Sequence, residues 1–94
     1  MCTGIIEKAE IEGSGKGRSG WFAVTEANVS YDHPYHALGE HSLNIDFVAA
    51  GADPGARVAV ELTFESAQRL VDSILVALQR GAEVERRAMA GARA

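Results

Sequence analysis

Two strand patterns and one helix pattern follow each other in residues 42–78, SLNIDFVAAGADPGARVAVELTFESAQRLVDSILVAL. Residues 42–48 alternate apolar and polar side chains, which is typical of a strand with one covered face. Residues 57–63 repeat this alternation after GADPGA, residues 51–56, a sequence rich in turn-forming residues. The segment therefore predicts two neighbouring antiparallel strands joined by a short turn.

The apolar period then changes from 2 to 3.6, which indicates an amphipathic helix. The side chains that share one helical face are Ala67, Leu70, Val71, Ile74, Leu75 and Leu78. Thr63 is suited to cap the helix, and Glu65 falls in the first turn, where the helix dipole favours an anion. Gly81 predicts the end or an interruption of the helix. We expect residues 82–94, rich in Ala and Arg, to form a frayed extension or a short second helix.

Two further strands are predicted upstream, over residues 4–12 and 21–31. The glycine-rich GSGKGRSG, residues 13–20, is interpreted as a mobile hairpin loop. A bulge near Thr25 is expected, because the apolar residues of the second strand change parity there. The sequence thus predicts an α+β fold, ββββα: a four-stranded antiparallel meander with one C-terminal amphipathic helix on one face, in a single domain over residues 1–81.

Composition narrows the possible functions. The chain has 94 residues, a net charge of -4 and one cysteine. A single cysteine excludes an intramolecular disulfide framework and favours a reducing compartment. Without a basic stripe we expect no nucleic-acid partner, and without a long apolar segment we expect no membrane association. The sequence therefore predicts a cytoplasmic protein.

All three histidines, His33, His36 and His41, lie within nine residues of one another. Neutral imidazole nitrogens bind Zn, Cu, Ni and Fe, and a short loop can turn several of them toward one ion. Pro34 stiffens the bend between the first two. The cluster indicates a transition-metal site.

The meander places the only cysteine near the same site. The start of the first strand, the end of the second and the start of the third share one edge of the sheet, and Cys2 precedes the first strand. If Met1 is removed, Cys2 carries both a thiol and an α-amine. Together these groups can chelate a metal or act as an N-terminal nucleophile.

The sequence thus predicts one transition-metal ion per chain, bound by His33, His36 and His41, with Cys2 as a fourth ligand or a nearby thiol. Zinc is the expected metal, and Fe, Ni or Cu fit the same donors. If all four groups bind, the coordination is closed and the metal is structural. If Cys2 does not bind, three histidines leave an open coordination position, which predicts hydrolysis, hydration or lyase chemistry on a small-molecule substrate. The candidate catalytic groups are Glu40, as a general base, and Cys2.

Two other functions fit the same residues. One is a non-catalytic homo-oligomeric binding module, and the other is a metal-free enzyme with Cys2 as nucleophile. A thin core, with only 27 bulky apolar side chains, and exposed strand edges predict a homo-oligomer, a dimer or higher.

Several short motifs point to a family. They are MCTG at the start, GSGKG, GWF, DHPYH, EHSLNIDF and ARVAVELTFESA. With these motifs the chain resembles, over residues 1 to about 80, a family of small uncharacterised bacterial proteins, a domain of unknown function. The resemblance implies no activity, so no residue role is taken from it.

Overall fold

A computed structural model describes residues 3–36, 39–51 and 55–92 of the chain. Four strands precede one helix: β1 (Ile5–Gly17), β2 (Gly20–Asp32), β3 (Ser42–Val48), β4 (Arg57–Leu62) and α1 (Phe64–Ala92). The strands form one sheet in the order β1-β2-β3-β4, and every neighbouring pair is antiparallel. The predicted α+β fold, a four-stranded meander followed by one helix, is confirmed.

The glycine-rich segment 13–20 was predicted to be a loop, but most of it belongs to strands β1 and β2. β1 continues through it to Gly17, β2 begins at Gly20, and Gly17 pairs with Gly20 across the turn of Arg18 and Ser19. The backbone of Gly20 has a φ of 116°, a conformation that glycine adopts without steric cost. The hairpin is therefore longer than predicted, because its glycines pair in register with the opposite strand.

The predicted bulge near Thr25 lies on the facing strand. The pairing register shifts between Glu10 and Gly13 of β1, opposite the β2 segment that contains Thr25. On β2 itself Val24 and Ala27 are both buried, at 5% and 7% exposure, although they have opposite parity. The extra residue lies in β1, so it changes the side-chain alternation of β1 and does not account for the burial of both β2 residues.

Strand pairing gives the sheet one apolar and one polar face. Apolar residues of β2, β3 and β4 line up in three cross-strand rows: Ala27–Phe47–Val58, Val29–Ile45–Val60 and Tyr31–Leu43–Leu62. The polar face has two ion pairs, in which Lys8 lies 3.1 Å from Glu26 and Arg57 lies 2.7 Å from Asp46. The alternation of apolar and polar residues in β3 and β4 therefore separates an apolar face of the sheet from a polar face, as predicted.

Helix α1 begins directly after Thr63, as predicted, and continues through Gly81 to Ala92. The predicted helix end at Gly81 is therefore wrong. The structure divides into two compact units, Met1–Phe64 and Glu65–Ala94. The position of the helix on one face of the sheet, and the domain boundary at residue 81, stay predictions. In the part of the chain that the structure describes, no helix is long and apolar enough to span a membrane.

Candidate metal centre at one edge of the sheet

The strand ends that carry the histidines meet at one edge of the sheet. Asp32, the last residue of β2, pairs with Ser42, the first residue of β3. At the same edge Ile5 of β1 pairs with Tyr31. His33 and His41 directly flank the Asp32–Ser42 pair, so the sheet itself brings these two histidines together.

Three aromatic rings stack at this edge. The ring centroids of Tyr31 and His41 are 5.6 Å apart with an interplanar angle of 18°, and those of His41 and His33 are 5.4 Å apart at 20°. Phe64 meets Tyr31 edge-on at 6.4 Å. The stack arises because alternate residues of β2 project to the same face, which places Tyr31 and His33 on one side.

The orientation of the His33 ring is fixed by the chain around it. Its Nδ1 lies 3.0 Å from the backbone carbonyl oxygen of Glu40, and its backbone N–H donates to Asp32 Oδ1 at 2.8 Å. Because a carbonyl only accepts, Nδ1 is the donor, and the neutral ring then carries its unprotonated nitrogen at Nε2. Metal-binding histidines are commonly oriented by this kind of hydrogen bond.

The spacing of His33 and His41 suits two ligands of one ion. With tetrahedral zinc and Zn–N bonds of about 2.0–2.1 Å, two imidazole centroids lie about 5 Å apart. The observed centroid distance of 5.4 Å is close to this value. Because the rings are stacked at 20°, their in-plane nitrogen lone pairs do not converge, and one ring would have to turn for both to bind the same ion.

The carboxylate of Glu61 forms hydrogen bonds with the loop between the histidines, a role that the sequence did not predict. Its carboxylate accepts the backbone N–H of Tyr35, and also that of His36 at 2.9 Å. Glu61 lies between the apolar Val60 and Leu62 in β4, so strand alternation places it on the polar face. The sequence signal for this role was that Glu61 lies near the end of β4, at the same edge of the sheet as the histidines.

His36 lies apart from the other two histidines. It lines a cavity of about 600 Å³ together with Tyr35, Arg57, Ala59 and Glu61. Ala59 pairs with Asp46, so this cavity opens on the polar face, whereas His33 and His41 stack with Tyr31 of the apolar rows. The predicted role of His36 as a metal ligand stays a prediction.

Two further site residues were predicted, Cys2 and Glu40, and the structure describes only Glu40. Cys2 is outside the described residues, and its roles as ligand or nucleophile stay predictions. The hydroxyl of Thr3 donates to the carbonyl oxygen of Tyr31, which fixes the chain next to the ring stack. Glu40 is exposed, and its backbone carbonyl oxygen accepts a hydrogen bond from Nδ1 of His33. Within residues 3–36, 39–51 and 55–92, no set of three or more His, Cys, Asp or Glu side chains is placed to hold a metal.

The chain is a small α+β protein with a four-stranded meander and a pair of histidine rings at one edge of the sheet. Residues 1–88 match the family of unknown function DUF6295, and the chain belongs to this family. This membership confirms the resemblance inferred from the motifs. No curated protein and no solved structure matches the chain.

Proposed function

We propose that the protein binds one transition-metal ion, with His33 and His41 as its first two ligands. The observation that carries the proposal is the stacked pair of rings, 5.4 Å apart, with Nδ1 of His33 fixed on the Glu40 carbonyl. Because Nδ1 is engaged in this hydrogen bond, Nε2 is the nitrogen of His33 that would bind the metal. Zinc is the proposed metal, and Fe, Ni and Cu suit the same donors.

Two further groups are proposed to complete the coordination. Cys2 would supply a thiolate and, after removal of Met1, an amine; the Thr3–Tyr31 hydrogen bond favours this, because it joins the residue next to Cys2 to the ring stack. His36 would require its loop to release the two backbone contacts with Glu61. Cys2 and His36 are therefore both proposed as further ligands.

The proposed activity is metal-dependent hydrolysis, hydration or lyase chemistry on a small molecule in the cytoplasm. Two or three protein ligands leave a coordination position for water, whose pKa falls when it binds zinc. Glu40 is the proposed general base. Its side chain is exposed, and its backbone carbonyl orients the ring of His33. Polar residues around the edge, including Tyr35 and Asp32, are available to bind the substrate.

Elemental analysis tests the metal. The chain purified under reducing conditions and offered zinc, then desalted, is expected to retain about one zinc ion per chain. His33→Ala is expected to retain none, while Glu12→Ala, on exposed β1 surface, serves as the control and should match the native chain. Native protein that retains no zinc, iron, nickel or copper after each has been offered would contradict the proposal.

The open coordination position has a separate optical test. Cobalt(II) replacing zinc in a tetrahedral site gives visible absorption bands that change when an outside ligand binds the ion. Azide is expected to shift these bands in the cobalt-loaded native chain, because it takes the water position. A spectrum unaffected by azide indicates a closed, structural site and would overturn the enzymatic part of the proposal while leaving metal binding intact.

A further inference from the structure

A groove lies on the polar face of the sheet, beside residues 33–36. Two cavities that share part of their lining form it, one of about 600 Å³ and one of about 260 Å³. Ligand sites in proteins have volumes of about 300–1,000 Å³, so the groove has the size for one small molecule. The side chains on which the following argument rests are Ser30, Tyr35, Asn44, Asp46, Arg57 and Glu61.

One wall of the groove is a fixed segment of chain that carries an exposed aromatic ring. The carboxylate of Glu61 accepts the backbone N–H groups of Tyr35 and His36, which holds this segment against the polar face. Pro34 restricts the backbone directly before it. The side chain of Tyr35 is nevertheless 93% exposed. The groove therefore offers a ligand a flat apolar surface next to polar groups.

The charged groups of the groove have partners within the chain. Nη2 and Nε of Arg57 lie 2.7 Å and 2.8 Å from Oδ1 of Asp46, and the Glu61 carboxylate accepts two backbone N–H groups. A bound ion would have to compete with these contacts and lose its own water. An apolar cover is equally unsuitable, because it would remove water from these charges without replacing its hydrogen bonds. The groove therefore suits a neutral, polar ligand.

The hydrogen-bonding groups of the groove indicate the class of this ligand. Oδ1 of Asn44 accepts the Ser42 hydroxyl at 2.6 Å, so the amide NH₂ of Asn44 is turned away from Ser42 as a donor. Ser30 lies directly opposite Asn44, and its hydroxyl both donates and accepts. The two carboxylates accept only. Ligand hydroxyl groups match this mixture, because each of them can donate to one group and accept from another.

We propose that the groove binds a neutral polyhydroxylated ring, a monosaccharide or a cyclic polyol. One face of the ring packs on Tyr35, and its hydroxyl groups form hydrogen bonds with Ser30, Asn44 and the carboxylates. The groove opens on the polar face, whereas His33 and His41 stack with Tyr31 of the apolar rows. The proposal is therefore independent of the metal site.

Amide NMR shifts of the full chain test the ligand class. Glucose, galactose, mannose and inositol are each added to about 20 mM, above the dissociation constant of about 1 mM expected for so small a ligand. At least one of them is expected to cause saturable shifts at Ser30, Asn44 and Ala59. Acetate and ethylammonium, as charged probes, are expected to leave these amides unchanged. No saturable shift with any of the four neutral probes, or equal shifts with a charged probe, would overturn the proposal.

Two alanine variants test the location of the site. Ala59 is exposed on β4 and lines the groove, so Ala59→Leu fills it and is expected to weaken binding of the active probe at least tenfold. Ala23→Leu makes the same change at an exposed position of β2 outside the lining and is expected to bind like the native chain. Equal affinity of the two variants contradicts a site in this groove.

The exposed Tyr35 gives a test that remains valid if Ala59→Leu fails to fold. Tyr35→Ala is expected to weaken binding of the active probe about tenfold, because the packing surface is lost. Tyr35→Phe retains the ring and is expected to stay within about threefold of the native affinity. Native affinity in Tyr35→Ala would overturn the proposed packing of the ligand on this ring.

Discussion

Zinc at a hundredfold excess over its dissociation constant is expected to raise the melting temperature of the native chain by about 10–20 °C. Binding to the folded state alone adds about 2.7 kcal/mol of stability at this excess. For a domain of 60–100 residues, each kcal/mol shifts the melting temperature by about 4–8 °C. In His41→Phe the shift is expected to disappear, because the phenyl ring carries no nitrogen to bind the metal.

His41→Phe separates the ligand role of the residue from its packing role. The substituted ring retains the stacking partners of His41, Tyr31 at 5.6 Å and His33 at 5.4 Å. The melting temperature without metal should therefore stay within a few degrees of the native value, since an aromatic pair contributes only about 0.5–1.5 kcal/mol beyond its area. A zinc-induced shift of native size in His41→Phe would show that the metal binds elsewhere.

Ser42→Val is expected to lower the free energy of unfolding by about 2–4 kcal/mol. The side chain of Ser42 is completely buried, and its hydroxyl donates a hydrogen bond to Asn44 Oδ1 at 2.6 Å. Valine adds volume where no space is open to solvent, which costs about 1–3 kcal/mol, and removes a hydrogen-bond donor, which costs about 1 kcal/mol more. Urea denaturation followed by circular dichroism measures the change.

Ser30→Val is the matched control for Ser42→Val. Ser30 lies on β2 directly opposite Asn44 and is only half-buried, so valine there can extend toward solvent. We expect a change below about 1 kcal/mol, in the range that strand positions show for β-branched residues. If the two variants were equally stable, the burial of Ser42 would not contribute to the stability of the sheet edge.

The sequence predicted the elements whose periodicity is strict. β3 has the predicted bounds, Ser42–Val48, and β4 ends one residue before the predicted Thr63. In both strands bulky apolar side chains alternate with small or polar ones over five residues, and after β4 the pattern changes abruptly to the helical period. Such patterns depend only on which face is buried, and that is encoded locally.

The two errors in secondary structure both involve glycine. Glycine lowers the intrinsic preference for strand and helix, but its cost of about 1 kcal/mol is small enough for the surroundings to offset. In the hairpin, Gly15 pairs with Phe22 and Gly17 with Gly20, so the ladder continues through the glycines. In the helix, Gly81 is flanked by strong helix formers, and Glu83 binds Arg87 at 3.2 Å one turn later.

The candidate site was predictable as far as strand topology determines it. The meander alone placed His33 and His41 at one edge, and the structure brings their rings together. The hydrogen-bonding roles of Glu61 and of the Glu40 carbonyl were not predictable, because each of these bonds involves a main-chain group. Backbone hydrogen-bond partners leave no pattern of residue types along the sequence.

The direct test of the metal proposal is an anomalous diffraction map at the zinc absorption edge, from crystals of the zinc-loaded chain. The map is expected to contain one strong peak at about 2.0–2.1 Å from Nε2 of His33 and from one ring nitrogen of His41. A crystal that contains zinc but lacks a peak between these two rings, or that has its peak at other residues, would contradict the assignment of this histidine pair as the metal centre.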